Sequence, residues 1–221
     1  MGGAIAARHG GYAAMGDPRT SPGTYHRAMS FKTTDLCDAS AEVQVCELPF
    51  VGYGRRRAFA GSIRTAHYRD GISVLRDMIN QPGHGQVLVI DGAGLKWRAL
   101  FGDVMAEIVV RNGWAGVVVH GQIRDRAEID TMDIGVKALG TAPRRADSGG
   151  FGEADVSVAF GGVTFIPGQR LVADEDGVVV LPSGVIESDI DIATSLAATA
   201  AYVSAEASTS AGATPSSNAP A

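Results

Sequence analysis

The chain contains few cysteines, few aromatic residues and no long hydrophobic run. Its two cysteines, Cys37 and Cys46, are too few for a disulfide scaffold and are typical of small core side chains in a reducing compartment. No stretch is apolar enough, for long enough, to span a bilayer. The N-terminal residues lack the apolar region of about 7–15 residues that a secretory signal needs. These absences argue against a secreted or membrane-embedded protein and predict a cytoplasmic one.

Positive charge is also scarce. The formal net charge is −5, and 19% of the residues are charged. No basic cluster of the kind that follows a phosphate backbone is present, so we expect neither nucleic acid nor a membrane as a partner. The short run Arg55-Arg56-Arg57 is typical of a solvated loop, although it could also reach into the site of a neighbouring subunit.

The composition bounds the domain organisation. With 221 residues, 45% of them hydrophobic, the chain can bury the core of one domain. Residues 1–30 are rich in glycine, alanine, proline and serine and are expected to form a flexible extension. Residues 207–221 are low in complexity, so we expect a disordered tail there. A single folded domain over residues 31–206 remains.

Within that domain, strand and helix signals alternate, as in an α/β protein. β-branched runs bounded by turn residues predict the strands Leu88–Ile90, Val117–Val119, Val136–Leu139, Val156–Phe160, Val163–Ile166, Leu171–Ala173 and Val178–Leu181. Apolar residues at helical spacing predict the helices Ile72–Asn80, Val104–Arg111 and Ile186–Ala205. The acidic segment Asp174-Glu175-Asp176-Gly177 is predicted to be a hairpin turn rather than a calcium loop, because further ligands at the required spacing are missing.

Two charged segments flank a predicted helix and strand. Asp103 stands at the predicted N-cap of the helix Val104–Arg111. Arg124 and Asp125 follow the strand Val117–Val119 at its carboxyl end, where open α/β sheets bind ligands. We therefore expect the fold to bring Asp103 and Asp125 together in a site for a small anion.

The residue types in these segments suit such a site. The backbone N–H groups of Val104, Met105 and Ala106 at the helix start are expected to point at a bound carboxylate, which the helix dipole also favours. Gly102 would let a ligand approach the backbone closely. Arg124 offers a permanently charged, planar fork that can grip a carboxylate with two hydrogen bonds.

Asp125 is a candidate metal ligand. Mg²⁺ takes only one or two protein carboxylates and keeps several waters, and the neighbouring Arg124 would hold the carboxylate ionised. The dipeptide alone carries no weight, because Arg-Asp also occurs at Arg69-Asp70 and Arg76-Asp77, and most such pairs are solvated surface ions. Asp103 could likewise be a plain helix cap.

Other polar residues are less informative. His120, close to Arg124 in the sequence, could be a proton donor, but a lone histidine is more often a satisfied structural residue. Asp35 and Asp38 are expected to cap the first helix rather than to bind metal. The pair Gly92-x-Gly94 lacks the rest of a nucleotide-binding pattern.

Several motifs of the chain, taken together, resemble the 4-hydroxy-4-methyl-2-oxoglutarate aldolase family, which includes the regulator of ribonuclease E activity A proteins. The likeness extends from about Thr33 to about Pro182 and implies a β/β/α sandwich of the swivelling-domain type, assembled as a homotrimer or hexamer. The motifs that carry it are Val87–Asp91, Gly92-Ala93-Gly94, Arg98-Ala99-Leu100-Phe101-Gly102-Asp103, Asn112-Gly113-Trp114-Ala115-Gly116, Gly121-x-x-Arg124-Asp125, Gly135–Thr141 and Phe160-Gly161-Gly162-Val163.

The resemblance also implies roles for individual residues. Asp125 matches the position that binds a divalent cation, Mg²⁺ or Mn²⁺, and Arg124 matches the position that binds substrate. The segment Gly102-Asp103-Val104-Met105 matches a segment that contacts substrate. Arg124 and Asp103 are the expected catalytic residues, with Asp103 orienting water and helping to move protons.

The implied activity is that of a class II aldolase, a carbon-carbon lyase. It would cleave 4-hydroxy-4-methyl-2-oxoglutarate or a related 4-hydroxy-2-oxo acid to pyruvate and a second oxo acid. Oxaloacetate decarboxylation is an expected side activity, because loss of CO₂ leaves the same pyruvate enolate. The alternative is a non-catalytic regulator acting by protein contact, but such members can lack the aspartate that this chain keeps as Asp125. A methyltransferase is a third hypothesis, for which no glycine-rich cofactor loop followed by an acidic ribose ligand is present.

Overall fold

The computed structural model describes residues 32–190. The predicted extension (residues 1–30) and tail (residues 207–221) lie outside the described residues. The helices of the described part are α1 (Thr33–Ala39), α2 (Ser73–Ile79), α3 (Asp103–Arg111) and α4 (Arg126–Ile129), with a 3₁₀ turn at Glu187–Asp189. The strands are β1 (Gln44–Val45), β2 (Val51–Tyr53), β3 (Phe59–Tyr68), β4 (Val87–Phe101), β5 (Gly116–Ile123), β6 (Gly135–Thr141), β7 (Gly152–Ala154), β8 (Val158–Phe160), β9 (Val163–Phe165), β10 (Arg170–Ala173) and β11 (Val178–Val180). None of the helices within residues 32–190 is long and apolar enough to cross a membrane.

Most of the strands form one mixed sheet. Its order is β1-β11-β10-β3-β4-β5-β6-β2, with β7 paired to the end of β3. β3, β4, β5 and β6 run parallel, and β2, β10, β11 and β1 pair antiparallel beside them. Parallel neighbours need crossover connections, which α2, α3 and α4 provide in turn. β8 and β9 form a separate hairpin.

The crossover helices cover one face of the parallel strands. Side chains alternate along a strand, so every second residue points to the helices. Each fully buried aliphatic or aromatic side chain there contributes about 1.5–3 kcal/mol. This core includes Leu75, Met78, Ile79, Leu88, Ile90, Val109, Trp114, Val117, Val119, Ile129 and Val136.

The opposite face of the parallel strands packs against a second β layer. That layer is built from the β8–β9 hairpin and from β10 and β11, which continue the large sheet because β3 pairs with β10 through residues 59–62 and with β4 through residues 63–67. The outer side of β10 and β11 is covered by Leu36 of α1. The helix, strand and strand layers confirm the predicted β/β/α sandwich. The core between the two β layers includes Ile63, Val87, Val89, Val118, Val158, Phe160, Phe165, Leu171, Val178 and Val180.

Phe59, the first residue of β3, anchors the amino ends of the parallel strands. Its ring lies over Gly116 and Gly135, where a Cβ atom would come within 2.2 Å of the ring in each case. Any larger side chain at the start of β5 or β6 would displace the buried Phe59 ring. The two glycines therefore allow this end of the sheet to close.

The strongest sequence signals gave elements of the predicted type. The predicted helices Ile72–Asn80 and Val104–Arg111 correspond to α2 and α3, and all seven predicted strands correspond to observed ones. The hairpin turn is confirmed, because Asp174 N–H donates to the carbonyl of Gly177 at 3.1 Å. The helix predicted to begin at Ile186 is wrong at its start, where the chain forms only the 3₁₀ turn, and its remainder lies outside the described residues.

β4 differs most from its prediction. The predicted strand ended at Ile90, whereas β4 runs for 15 residues to Phe101 with three register shifts against β5. Ala93 and Gly94 adopt positive φ values of 52° and 69°, so the residues that look like a turn form irregularities within the strand. The long strand β3 was not predicted.

The cap of α1 was also wrongly predicted. Neither Asp35 nor Asp38 caps the helix; both lie inside it. Instead the buried carboxylate of Asp174, from the β10–β11 turn, accepts hydrogen bonds from Thr33 N–H and Thr33 Oγ1, each at 2.7 Å. A residue distant in sequence therefore satisfies the helix start, which local spacing does not reveal.

Candidate active site

The site lies where β4 and β5 end side by side. The two strands are parallel, and Phe101 at the end of β4 pairs with Ile123 at the end of β5. Arg124 N–H extends the pairing by donating to the carbonyl of Phe101 at 3.0 Å. The residues after the two strands, Gly102 and Asp103 on one side and Arg124 and Asp125 on the other, are therefore neighbours, as the sequence predicted. The role of Phe101 was not predicted, because the sequence analysis ended this strand at Ile90 and not at Phe101.

Gly102 is the N-cap of α3, and Asp103 is the first helical residue. The predicted N-cap at Asp103 is therefore wrong by one position. The shift of the N-cap from Asp103 to Gly102 matters for the chemistry, because a side chain at the N-cap folds back onto its own helix. The Asp103 carboxylate does accept from Val104 N–H at 2.8 Å, but it also contacts Asp125 across the site.

The amides at the start of α3 are less available than predicted. Val104 N–H donates to the Asp103 carboxylate, and Ala106 N–H donates to the carbonyl of Gly102 at 3.0 Å. Of the three amides expected to hold an anion, only that of Met105 lacks an acceptor within residues 32–190. The amides at the start of α3 therefore offer less to an anion than the sequence indicated, and Arg124 is the main group with unused donors.

Arg124 and Asp125 form a close ion pair over Gly102. Arg124 Nε donates to Asp125 Oδ2 at 2.6 Å, and a Cβ atom at Gly102 would lie 3.0 Å from the same carboxylate oxygen. Asp125 adopts the left-handed conformation, with φ of 55° and ψ of 44°, at the N-cap of α4. Aspartate and asparagine tolerate this conformation better than other side chains with a Cβ. The backbone thus turns the carboxylate back toward Gly102 and Asp103.

Asp103 and Asp125 place two carboxyl groups beside each other, close enough for Asp103 to affect the pKa of Asp125. The hydrogen bond from Arg124 lowers the pKa of Asp125, and contacts with the Asp103 side chain and N–H group lower it further. Asp125 is therefore ionised at neutral pH. Two carboxyl groups this close repel each other unless a proton or a cation lies between them.

Arg124 keeps part of its hydrogen-bonding capacity free. Its Nε is engaged by Asp125, but no residue within 32–190 accepts from its two Nη groups. The side chains of Arg124 and Asp125 are 36% and 28% exposed, so both remain open to a small molecule. The guanidinium can hold Asp125 and a ligand carboxylate at the same time.

His120 is held in place by a carboxylate and an aromatic ring, as the more common interpretation of a lone histidine predicted, although its Nε2 has no hydrogen-bond partner within residues 32–190. Its Nδ1 lies 2.8 Å from Asp91 Oδ1, and its ring packs on Phe160 with a centroid distance of 4.4 Å. Asp91 also accepts from Ala93 N–H at 2.9 Å. The pair therefore fixes the irregular segment of β4.

The carboxylates at this site fit a cation that needs few protein ligands. Within residues 32–190 no cluster of three or more His, Cys, Asp or Glu side chains is arranged to hold a metal ion. Such a cluster is expected for structural zinc, whereas Mg²⁺ is often held by one or two carboxylates. The contact between the ionised Asp125 and Asp103 supplies that smaller set of oxygens.

The layers and the site define a class of protein: a β/β/α sandwich with an arginine and two carboxyl groups at the carboxyl ends of parallel strands. The model of the RraA-like family, described as Aldolase/RraA, matches residues 33–180. The chain belongs to this Aldolase/RraA family.

The relatives carry different functional names. A protein of Ectopseudomonas mendocina (strain ymp), named "Putative 4-hydroxy-4-methyl-2-oxoglutarate aldolase", is 47% identical over 155 residues, which cover 70% of this chain and 96% of that protein. Two solved structures each have a TM-score of 0.68. One, from Geobacillus kaustophilus HTA426, is named S-adenosylmethionine:2-dimethylmenaquinone methyltransferase; it is 46% identical, covering 70% of this chain and 97% of that one. The other, the RNA-processing inhibitor RraA from Thermus thermophilis, is 39% identical, covering 72% and 97%. The activity of this chain must therefore be argued from its site.

Proposed function

We propose that this protein is a divalent-metal-dependent aldolase that cleaves a 4-hydroxy-2-oxo acid, such as 4-hydroxy-4-methyl-2-oxoglutarate, to pyruvate and a second oxo acid. The observation that carries the proposal is the cluster of Asp103, Arg124 and Asp125 around Gly102. The cluster places the Arg124 guanidinium, the ionised Asp125 carboxylate and the Asp103 carboxyl group beside one another at an open surface. The name of the Ectopseudomonas relative supports the same activity.

Arg124 is proposed to bind the oxo acid. Its free Nη groups can donate two hydrogen bonds to the substrate carboxylate while Nε stays on Asp125. The absent side chain at Gly102 leaves room for the 2-oxo group beside Asp125. Negative charge that develops on the 2-oxo oxygen would then lie close to a fixed positive charge.

Asp103 is proposed to move the protons. Retro-aldol cleavage requires loss of the proton on the 4-hydroxyl group, after which the C3–C4 bond breaks and its electron pair passes to the 2-oxo oxygen. A proton must then return to C3 to give pyruvate. Asp103 is close enough to Arg124 and Asp125 to affect the pKa of both, so it could exchange protons with a substrate bound there through an ordered water.

Asp125, with Asp103 beside it, would hold the cation, either Mg²⁺ or Mn²⁺. The cation would supply Lewis-acid polarisation of the 2-oxo group, which is worth several kcal/mol of transition-state stabilisation. The same polarisation serves oxaloacetate decarboxylation, which we propose as a side activity.

A regulator that acts by protein contact is the second candidate. The 39% identity with the RNA-processing inhibitor RraA favours it. So do the large exposed apolar side chains Trp97 and Phe151, which are 81% and 63% exposed. A methyltransferase is less well supported, because Gly92 and Gly94 lie within β4 rather than at a strand-to-helix turn that could cradle a cofactor.

Removal of metal tests the proposal directly. We expect the purified protein to release pyruvate from 4-hydroxy-4-methyl-2-oxoglutarate in the presence of Mg²⁺ or Mn²⁺, and to lose this activity with excess chelator. Pyruvate is measured with a coupled lactate dehydrogenase assay, and restored activity after metal is added back excludes unfolding by the chelator. Full activity without metal would refute the mechanism. Inactivity on several oxo acids, with metal present, would favour the regulator.

Exchange of Arg124 for lysine tests the guanidinium. We expect Arg124→Lys to lower kcat/KM about 100-fold, because the N–H groups of an ammonium point in tetrahedral directions and cannot form two parallel hydrogen bonds with a carboxylate while also holding Asp125. The matched control is Arg126→Lys, since the exposed Arg126 only pairs with Asp130 on α4 and contacts the ring of Tyr53. Equal kcat/KM values for the two variants would show that the fork geometry is irrelevant.

A further inference from the structure

Lys137 is a buried cation in a part of the molecule that the proposed reaction does not use. It lies on β6, paired with Val118 of β5 and Gly52 of β2, and only 4% of its surface is exposed. Its neighbours Val136 and Ala138 point to the helices, so Lys137 points into the space between the two β layers. Its ammonium reaches beneath β2, where a Cβ atom at Gly52 would lie 3.5 Å from Lys137 Nζ.

The described part of the chain offers this ammonium no partner at close range. Within residues 32–190, no carboxylate forms an ion pair with Lys137 and no acceptor hydrogen-bonds to it. Asp174 is close enough to affect it, but the Asp174 carboxylate is occupied by Thr33 and by the N–H groups of Asp176 and Gly177. An isolated buried cation is costly, so a counter-ion beside Lys137 would stabilise the folded protein.

The ammonium adjoins a cavity of about 110 Å³. One buried water needs only about 10–15 Å³, so the space accommodates a small polyatomic ion but not a nucleotide. The cavity lies near Phe59, at the amino ends of β5 and β6, and thus at the opposite end of the sheet from Asp103 and Asp125. Its lining residues are Gly52, Tyr53, Arg56, Arg57, Phe59, Val136, Lys137 and Glu175.

The charges around the cavity are mixed, and an anion could bind only to the cations among them that are not already paired. Arg56 is neutralised by Asp133, with Nε–Oδ1 and Nη2–Oδ2 distances of 2.9 and 3.0 Å. Arg57 has no acceptor within residues 32–190, yet it is near enough to Lys137 to disfavour its charge. Neither Lys137 nor Arg57 forms an ion pair with a carboxylate within residues 32–190, although Glu175 lines the same cavity. The acidic groups that face them, Glu175 together with Asp174 and Asp176, lie on the β10–β11 turn.

Burial lowers the pKa of Lys137, and Arg57 lowers it further, whereas the three acidic side chains of the β10–β11 turn oppose the shift. The turn therefore offsets the cost of the buried charge only in part. A bound anion would contribute the remaining stabilisation and would raise the affinity of Lys137 for its proton.

We propose that this cavity is a second binding site, for a small oxyanion of the carboxylate or phosphate type held between Lys137 Nζ and the Arg57 guanidinium. The site is separate from the proposed active site and does not depend on aldolase activity. The run Arg55-Arg56-Arg57, expected from the sequence to be a solvated loop, would thus contribute one of the two anion-binding groups.

Calorimetric titration of the full chain tests the proposal, with sodium phosphate and sodium acetate titrated separately at an ionic strength held constant with chloride. We expect at least one of the two anions to bind, and the difference between them identifies the class of oxyanion. Lys137→Met is expected to weaken that binding about tenfold or more, because it removes a buried charge that contacts the ligand. Lys32→Met, which removes an exposed ammonium, is the control.

Three further variants make the test independent of folding and of the active site. Arg57→Gln alters an exposed residue, so it is expected to fold and to weaken binding several-fold, whereas Arg55→Gln should leave binding unchanged. Arg124→Met removes the carboxylate-binding group of the proposed active site, so the anion binding that remains in this variant is expected to be the part that Lys137→Met and Arg57→Gln weaken. The proposal is overturned if neither anion binds, if Lys137→Met and Arg57→Gln both bind normally, or if Arg124→Met alone abolishes binding.

Discussion

Asp125→Asn is expected to lower metal-dependent kcat/KM for pyruvate release about 1,000-fold, without a measurable change in fold. A bound cation contributes several kcal/mol to the transition state, and each 1.36 kcal/mol corresponds to a factor of ten in rate. The substitution removes the ionised carboxylate that Arg124 holds at 2.6 Å and leaves an amide, which is a much weaker cation ligand.

Asparagine is the right replacement at this position. Asp125 has a φ of 55°, a conformation that asparagine tolerates and alanine does not, so Asp125→Ala would mix a backbone effect with the loss of charge. The Asp125 side chain is 28% exposed and contributes little to the core, so we expect the free energy of unfolding to change by less than about 1 kcal/mol. Circular dichroism and urea unfolding check this.

The matched control is Asp77→Ala, in an Arg-Asp dipeptide on the exposed side of α2. It should retain full activity. Direct measurement of Mn²⁺ binding by electron paramagnetic resonance separates metal affinity from catalysis. If Asp125→Asn bound Mn²⁺ and cleaved substrate as well as the unmodified protein, Asp125 would not be the metal ligand.

The elements of the proposed site were predictable because their signals are local. The apolar spacing of α3, the β-branched run of β5 and the charged residues after each element all lie within a few positions of one another in the sequence. Parallel strands then bring their carboxyl ends to one edge of the sheet, so the contact between Asp103 and Asp125 follows from the order of the elements. The roles assigned to these residues stay predictions until activity is measured.

The errors arise where a contact is long-range or a backbone is irregular. Positive φ values at Ala93 and Gly94 allow β4 to continue where turn residues suggested an end. The hydrogen bonds of the amides at the start of α3 depend on a one-residue shift of the N-cap to Gly102, which propensity does not resolve. The sequence did not predict a role for Lys137, because its burial depends on residues distant in sequence, in β2 and in a turn near position 175.

The two ends of the sheet differ in how charge is arranged. At the carboxyl ends, Asp125 and Arg124 neutralise each other and remain accessible, as a site that exchanges substrate and product requires. At the amino ends, Lys137 is enclosed and lacks a partner in the described chain. An anion bound there would stabilise the folded state by linkage.

Asp174→Ala is expected to lower the free energy of unfolding by about 2–4 kcal/mol, the largest effect on stability that we predict for a polar residue. The Asp174 carboxylate is 9% exposed and accepts two hydrogen bonds from Thr33 and two from the β10–β11 turn. Its loss leaves the buried Thr33 hydroxyl and N–H group without an acceptor and separates α1 from the sheet edge that it covers.

The pH dependence of the free energy of unfolding tests whether the Asp174 carboxylate is the source of this stabilisation. Burial alone would raise the pKa of Asp174, but the hydrogen bonds from Thr33 and from the turn amides lower it below its ordinary value. The native state therefore binds fewer protons than the unfolded state, so this stabilisation is complete above about pH 4 and is lost as the pH falls further. Urea unfolding at pH 6 and near pH 3 should show the difference between the unmodified protein and Asp174→Ala shrinking at the lower pH. The control is Asp35→Ala, which alters one of the two residues that the sequence predicted as caps and should unfold like the unmodified protein at both pH values. If Asp35→Ala lowered the free energy of unfolding more than Asp174→Ala, the cap would be Asp35 and not Asp174.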